Sequence, residues 1–203
     1  MKKMLSLLKN RADLEIIASW IKEGSTVLDL GCGDGNLLYY LTHSKNIKGM
    51  GIEIDLERMI NCIEKGIPVV EHDLNQKFDN IRDMAYDYVI LSQTIQELQY
   101  PDLLIEEILR IGKYGIVSFP NFGHFKIRVN LFLNGRMPKS SVLPYDWYNT
   151  PNIHLMTLKD FKVFCKERNI KILKTHYITG NRYRKNLLFP NLFAEGCVIL
   201  ISK

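Results

Sequence analysis

Residues 27–41 read VLDLGCGDGNLLYYL and decide the fold of this 203-residue chain. A short apolar run, Thr26–Leu30, meets three alternating glycines, and an apolar helix pattern follows from Asn36. Glycine adopts the positive φ angles of a sharp turn and lets the backbone approach a ligand closely. A helix beginning at Asn36 would direct its unpaired N–H groups at that ligand. The stretch therefore predicts a strand, a ligand-binding turn and a helix.

The rest of the chain alternates between strand and helix patterns. Further strands are predicted at Gly49–Ile54, Ile67–Val70, Tyr88–Leu91, Gly115–Phe119, Ile170–Tyr177 and Gly196–Ile201. Helices are predicted over Leu14–Ile21, from Pro101 to Gly112, and after a Thr157/Asp160 capping box. A further helix is predicted after Asp55, with Leu56, Met59, Ile60 and Ile63 on one face. This alternation indicates an α/β, Rossmann-like fold with a mostly parallel sheet covered by helices on both faces. The length suits one domain, residues 1–203.

Composition narrows the class of protein. Hydrophobic residues make up 46% of the chain and charged residues 24%, which is typical of a globular protein. The formal net charge of +5 is only mildly basic and does not imply nucleic acid as a partner. The four cysteines form no CxxC pair and no zinc-type cluster, so no metal site is expected. We expect these cysteines to be reduced thiols in a cytoplasmic protein. No apolar run is long enough to span a bilayer.

Residues 121–154 interrupt the alternation. They are rich in aromatic residues, Pro, Asn and Gly, with one short helix predicted near Lys126–Leu133. The stretch follows the fifth strand at the edge of the sheet where ligands of such folds bind. Large aromatic side chains are also enriched at protein interfaces. This irregular, aromatic-rich insertion is therefore predicted to be a lid or a partner surface.

The spacing and charge of the glycine turn predict its ligand. The pattern is G-x-G-x-G, whereas a dinucleotide fingerprint is G-x-G-x-x-G. Asp29 and Asp34 would repel a pyrophosphate but attract a ligand that carries an ammonium and a sulfonium. Glu53 ends the second strand, where an acidic residue takes ribose hydroxyls, and Asp73 is placed to accept from an adenine amino group. These features predict S-adenosyl-L-methionine (SAM) or S-adenosyl-L-homocysteine. The predicted contact set is Asp29, Gly31, Cys32, Gly33, Asp34, Gly35, Glu53, Ile54, Asp73, Leu74, Ser92 and Gln93.

The layout resembles the class I SAM-dependent methyltransferases over nearly all of the chain. More narrowly, several stretches are similar to the MetW family of bacterial methionine-biosynthesis proteins: VLDLGCGDG, GIEID, YDYVILSQTIQ, GIVSFPNFGHF, GRMP and LPYDWYNTPNIH. The resemblance implies a seven-stranded sheet whose last strand is antiparallel. It also implies SAM contacts at Asp29, Gly31, Gly33, Glu53 and Asp73, and a partnership with MetX, a homoserine O-acyltransferase.

The sequence contains few residues suited to catalyse methyl transfer. The segment Ser92–Gln96 after the fourth strand contains no carboxylate and no histidine. His124, Tyr145 and His154 are the remaining candidates for a catalytic base. We therefore favour a SAM-binding subunit that activates the acyltransferase, with an independent small-molecule methyltransferase as the alternative. A nucleic-acid methyltransferase is a third interpretation, based on the basic residues of the last 50 or so positions, but no added RNA-binding module is evident.

Overall fold

The computed structural model describes residue 8 and residues 11–140 and 143–203. Its helices are α1 (Ala12–Trp20), α2 (Asn36–Lys45), α3 (Leu56–Glu64), α4 (Pro101–Ile111), α5 (Phe125–Asn134), α6 (Leu158–Glu167) and α7 (Pro190–Phe193), with a 3-10 turn at Ile95–Glu97. Its strands are β1 (Thr26–Leu30), β2 (Lys48–Glu53), β3 (Val69–Glu71), β4 (Tyr86–Ser92), β5 (Gly112–Pro120), β6 (Lys171–Thr179), β7 (Arg182–Arg184) and β8 (Gly196–Ser202). The predicted start of α2 and bounds of β1 are confirmed.

One sheet joins these strands in the order β3-β2-β1-β4-β5-β8-β6-β7. Strands β1 to β5 pair in parallel, whereas β8 runs antiparallel to both β5 and β6. The α/β, Rossmann-like prediction is confirmed. The sheet has one strand more than the seven expected, because β7 adds a short pairing at the edge of β6. Its three exposed residues, Arg-Tyr-Arg, give no apolar alternation by which a sequence pattern could reveal it.

Two layers of helices cover the sheet. Apolar residues of α1 and α2, such as Ile17 and Leu41, belong to one buried cluster with Ile90 of β4. Residues of α4 and α6, such as Ile108 and Phe161, belong to a second cluster with Val89, the neighbour of Ile90. Because successive residues of a strand point to opposite faces, β4 is buried on both. The core thus holds the strand ends of the sheet in fixed relative positions.

Helix α3 differs from its sequence pattern in what it buries. Asp55 caps it as predicted, accepting a hydrogen bond from the Arg58 N–H at 3.0 Å. The apolar face formed by Leu56, Ile60 and Ile63 is nevertheless exposed, and Cys62 is the buried residue of this helix. The neighbouring edge strand β3 has only three residues, which offers that face little sheet to cover. The amphipathic pattern predicts the helix correctly but not its buried side.

Asn121 fixes the beginning of the irregular stretch to the core. Its fully buried side chain accepts from the N–H groups of Gly123 and Leu158, both at 3.1 Å, and donates to the Ala194 carbonyl at 2.8 Å. The short helix predicted within this stretch is confirmed as α5, while residues 141 and 142 lie outside the described residues. None of the helices in the described part of the chain has the length and hydropathy needed to cross a bilayer.

Candidate functional site

The carboxyl ends of β1, β2 and β4 lie side by side and border a cleft of about 830 Å³. Every residue of the predicted cofactor set except Gly35 lines this cleft: Asp29, Gly31, Cys32, Gly33, Asp34, Glu53, Ile54, Asp73, Leu74, Ser92 and Gln93. Parallel pairing explains the convergence, since it brings the ends of sequence-distant strands to one edge. The volume is within the range of small-molecule and cofactor sites.

The glycine turn has the backbone that its sequence predicts. Gly31, Gly33 and Gly35 have φ angles of 71°, 55° and 69°. The N–H groups of Gly31 and Cys32 both donate to the Ile52 carbonyl, at 2.8 and 3.0 Å, which fastens the turn to β2. A Cβ atom at Gly33 would meet nothing within 4 Å. The turn is therefore held from behind and open towards the cleft.

Gly35 has a packing role rather than a place in the cleft lining. Alanine there would adopt a left-handed conformation and place its Cβ 2.9 Å from Cys62 Sγ. We expect Gly35→Ala to lower the free energy of unfolding by about 2–3 kcal/mol, from backbone strain and overpacking together. Gly24→Ala is the matched control, because Gly24 has a φ of 71° and a Cβ added there would meet no atom within 4 Å. Urea denaturation should show a smaller loss for the control, and equal losses would contradict the steric contact.

Asp29 is a carboxylate of the cleft that has no hydrogen-bond donor among the described residues. It is 3% exposed and lines the cleft, and no residue within 11–140 or 143–203 donates a hydrogen bond to it. Burial raises the pKa of Asp29 to about 7; the Arg11 guanidinium opposes this shift and the Glu53 carboxylate adds to it. The Asp29 oxygens are not among the fully buried, unpartnered side-chain atoms of the described residues, so they are accessible from the cleft. A cationic donor from a ligand in the cleft could pair with them.

Glu53 organises the turn through its carboxylate. Its Oε2 accepts a hydrogen bond from the Gly33 N–H at 2.8 Å. Its Oε1 accepts from the N–H groups of Ile54 and Asp55, at 2.9 and 3.2 Å. One buried side chain thus holds both the glycine turn and the approach to α3. A carboxylate has about four acceptor positions, so hydroxyl groups of a ligand could bind to it as well.

The segment after β3 forms a compact turn beside the cleft. Asp73 Oδ1 accepts from the backbone and side-chain N–H groups of Asn75, at 2.9 and 3.0 Å. The neighbouring His72 also lines the cleft, and its buried Nε2 has no hydrogen-bond partner among the described residues. The sequence pattern does not distinguish His72 or Asn75 from ordinary turn residues. Both belong to the candidate site.

The end of β4 is tied to the N-terminal helix. Ser92 Oγ donates to Asp13 Oδ2 at 2.9 Å and lies 3.0 Å from Ser118 Oγ. Gln93 has a φ of 56°, and its N–H donates to the Ser118 carbonyl at 2.9 Å. A left-handed conformation is strained for a residue with a side chain, and such strain is concentrated at functional sites. The strain supports the placement of Gln93 in the candidate site.

Arg11 is a cleft residue that sequence reasoning misses. Its Nε and Nη2 donate to the two carboxylate oxygens of Asp13, at 2.9 and 2.7 Å. This pairing raises the pKa of the Arg11 guanidinium. Because Asp29 is nearby, the same end of the cleft holds the Arg11 guanidinium, paired with Asp13, and a carboxylate without a hydrogen-bond donor among the described residues. These are the two groups that a zwitterionic amino acid would recognise.

The thiols near the turn are packing groups. Cys32 Sγ lies 3.8 Å from Cys62 Sγ, and Cys62 Sγ donates to the Gly33 carbonyl at 3.1 Å. Burial raises the pKa of both thiols, which disfavours the nucleophilic thiolate. Within the described part of the chain, no three His, Cys, Asp or Glu side chains form a group that could hold a metal ion.

The structure separates the three candidate bases. Tyr145 lines the cleft. His124 instead caps α5, where its Nδ1 accepts from the Lys126 N–H at 3.4 Å and burial lowers its pKa. His154 lines a separate hollow of about 10 Å³, which has room for one water molecule at most. Glu97, one residue beyond the segment searched after β4, lines the cleft, and burial raises its pKa.

Together, the sheet order and the cleft define the class: this is the Rossmann-like fold of class I SAM-dependent methyltransferases. A SAM-dependent methyltransferase of Thermotoga maritima, described as a possible histamine N-methyltransferase, matches with a TM-score of 0.67 and 16% identity over 96% of this chain and 88% of that one. The [4+2]-cyclase SpnF also matches with a TM-score of 0.67 and 16% identity, over 96% and 85%. At such identity the likeness concerns the fold alone, and a fold does not determine the reaction.

Within this class the chain belongs to the MetW family. The family described as methionine biosynthesis protein MetW matches residues 11–201. A bifunctional methionine biosynthesis protein MetXA/MetW from Rhodopirellula baltica is 36% identical over an alignment 203 positions long. The alignment covers 94% of this chain and 32% of that protein. The chain therefore spans about a third of that relative's length. The family resemblance seen in the sequence is confirmed.

Proposed function

We propose that this chain binds SAM and acts as the activating partner of a MetX-type homoserine O-acyltransferase, within a single domain. The observation that carries the partnership is the Rhodopirellula relative, whose name assigns MetXA and MetW parts to one protein. Linking two modules raises their effective concentration for one another. Such a linkage is expected where the two modules act together in methionine biosynthesis.

The groups that line the cleft support SAM as the ligand. The unpaired Asp29 carboxylate suits the ammonium, and the Arg11 guanidinium suits the carboxylate of the amino acid. Glu53 is assigned to the ribose hydroxyls and Asp73 to the adenine amino group. A pyrophosphate in the same place would meet several carboxylates and be repelled. When bound, SAM would supply an electrophilic methyl group.

SAM is made from methionine, so its binding next to the enzyme that opens the pathway would report the level of the end product. Such control requires that SAM bind the free chain and its complex with different affinity. A coupling of typical size would change the affinity of the complex between about 5- and 150-fold. Bound SAM would then adjust the rate of acyl transfer without taking part in it.

We expect co-purification from the native host to recover the acyltransferase with this chain, and added SAM to change the acylation rate of the eluate by about fivefold or more. The Asp29→Asn variant is the control, because it should retain the partner and lose the response to SAM. Recovery of the chain without the acyltransferase would contradict the partnership. An unchanged rate and complex affinity across a SAM titration would contradict the sensing role.

One observation favours an independent small-molecule methyltransferase as the second candidate. Glu97 lines the cleft, and partial desolvation raises its pKa although the residue is exposed. A raised pKa moves a carboxylate towards the range of a general base. Incubating the chain with SAM labelled on its methyl group and with cell extract tests this function. Label on a small metabolite, lost in Glu97→Gln, would support it, and no transfer above background would count against it.

A further inference from the structure

Helix α5 presents an unusual amount of apolar surface to solvent. The structure describes all ten of its residues, and Ile127 alone among them is buried. Phe132 and Leu133 are 87% and 71% exposed, and Val129 is exposed as well. A helix of this length is marginal without packing against an apolar partner. Contiguous exposed apolar surface of this kind marks interaction sites.

A second exposed segment adjoins this helix. Leu188 and Phe189, which precede α7, are both exposed. The rings of Phe125 and Phe193 are 5.9 Å apart and join the start of α5 to α7. We call Val129, Phe132, Leu133, Leu188 and Phe189 the docking face. The Phe125–Phe193 contact and the hydrogen bond from Arg128 Nη2 to the Asn191 carbonyl connect α5 to α7, so the two parts of the docking face lie on neighbouring elements.

Charge indicates what kind of surface would cover the docking face. Residues 121–145 contain Lys126, Arg128, Arg136 and Lys139 but no Asp or Glu. Lys139 is paired with Asp146 at 2.7 Å, so the positive charge of the rim comes from Lys126, Arg128 and Arg136. A second copy of this chain, related by a two-fold axis, would bring like charges together. An apolar patch with an acidic rim would be complementary instead. Arg128 is engaged with the carbonyls of Gly123 and Asn191, which leaves it poorly placed for lipid phosphates.

The same irregular stretch also reaches the candidate cofactor cleft. Tyr145 and Pro151 contribute to the cleft lining. The N–H groups of Ile153 and His154 donate to the Gln96 carbonyl, at 2.8 and 3.0 Å, and Gln96 Nε2 donates to the Gln93 carbonyl at 2.7 Å. A partner bound to α5 would therefore contact the same irregular stretch, residues 121–154, that also supplies part of the cleft lining. This arrangement provides a physical connection through which binding of a partner would affect binding of the cofactor.

Resting on the proposed function, we propose that the docking face binds the homoserine O-acyltransferase through an apolar patch of that enzyme with an acidic rim. Large exposed apolar residues at the centre of an interface carry most of its binding energy. Phe132 is the most exposed large apolar residue of the described chain and is assigned that central place. The positive rim sets orientation and association rate.

The test measures binding of the purified full chain to the homoserine O-acyltransferase of the same organism. Phe132→Asp and Leu188→Asp are expected to weaken binding by about 30-fold or more each, with SAM affinity by calorimetry unchanged. Ile63→Asp is the matched control, since Ile63 is 63% exposed on α3 next to the edge strand β3. It should change acyltransferase binding by less than about threefold.

The outcomes separate this inference from the proposed function. If the wild-type chain binds the acyltransferase and both docking-face variants bind equally well, the interface is elsewhere and the partnership stands. If the wild-type chain does not bind, the proposed function itself fails. A wild-type dimer in sedimentation that Phe132→Asp dissociates, or wild-type binding to anionic phosphatidylserine vesicles that Phe132→Asp abolishes, would assign the face to another occupant and overturn the inference.

Discussion

The Asp29→Asn variant is expected to lose SAM affinity by about 100-fold or more while becoming more stable at alkaline pH. The lost affinity follows from the ammonium, which a neutral amide cannot pair with by charge. Removing one partner of a buried charge pair costs about 3–5 kcal/mol, and each 1.4 kcal/mol is tenfold in affinity. Titration calorimetry at pH 8 measures the loss. Asp79→Asn, at an exposed position, should bind SAM like the wild type.

The gain in stability has a defined pH dependence. The folded state holds the Asp29 proton with a pKa of about 7, against 3.8 for an ordinary aspartic acid. Stability is therefore fully present below about pH 4, falls as the pH rises to about 7, and levels off above that. The shift corresponds to at most about 4 kcal/mol. Urea denaturation at pH 5 and pH 8 should show a loss of about 2–3 kcal/mol in the wild type and none in Asp29→Asn.

The same carboxyl group gives SAM binding a pH dependence of opposite sign. Only the ionised carboxylate pairs with an ammonium, so the affinity of the wild type should rise between pH 6 and pH 8. The Asp29→Asn variant should bind weakly and equally at both values. Wild-type affinity that is flat across this range, or a variant that binds within about threefold of the wild type, would contradict the assignment of Asp29.

Glu53→Gln is the second change with a large expected effect. Glutamine places an NH₂ group where one carboxylate oxygen accepts from the N–H groups of Gly33, or of Ile54 and Asp55. A donor would then face a donor in a buried site. We expect a loss of about 2–3 kcal/mol in the free energy of unfolding and about 100-fold or more in SAM affinity, because charge-assisted hydrogen bonds to the ribose are lost too.

Glu71→Gln is the matched control for that change. Glu71 lies opposite Glu53 in the register of β3 and β2, but its side chain is exposed. Both the stability and the SAM affinity of this control should stay close to wild type. If Glu53→Gln and Glu71→Gln behaved alike in denaturation and calorimetry, the backbone contacts of Glu53 would not organise the cleft.

The sequence predicts those residues of the candidate site that lie at the ends of strands. Asp29 and Glu53 are found because each sits at the end of an apolar strand, where parallel pairing fixes its place. Arg11 is missed because it reaches the cleft from before the first helix, and no period in the sequence links it to β1. Glu97 is missed because a 3-10 turn, rather than the strand pattern, turns it towards the cleft.

Tertiary packing determines which residues are buried, and the periodicity of the sequence does not always predict this. The apolar stripe of α3 predicts a helix but does not reveal that Ile63 is exposed and Cys62 buried. Aromatic content alone does not distinguish a lid from a partner surface in residues 121–154. The structure gives the surroundings of individual residues: Tyr145 lines the cleft, whereas Phe132 is 87% exposed. Such distinctions depend on neighbours that are far apart in the sequence.

Titration calorimetry of the purified chain with four ligands is the most direct test of the claim that this carboxylate-lined turn selects an adenosyl amino acid that carries an ammonium group. We expect S-adenosylmethionine and S-adenosylhomocysteine to bind and NAD and ATP to give no heat of binding. Binding of NAD or ATP, together with no binding of either adenosyl amino acid, would contradict the account.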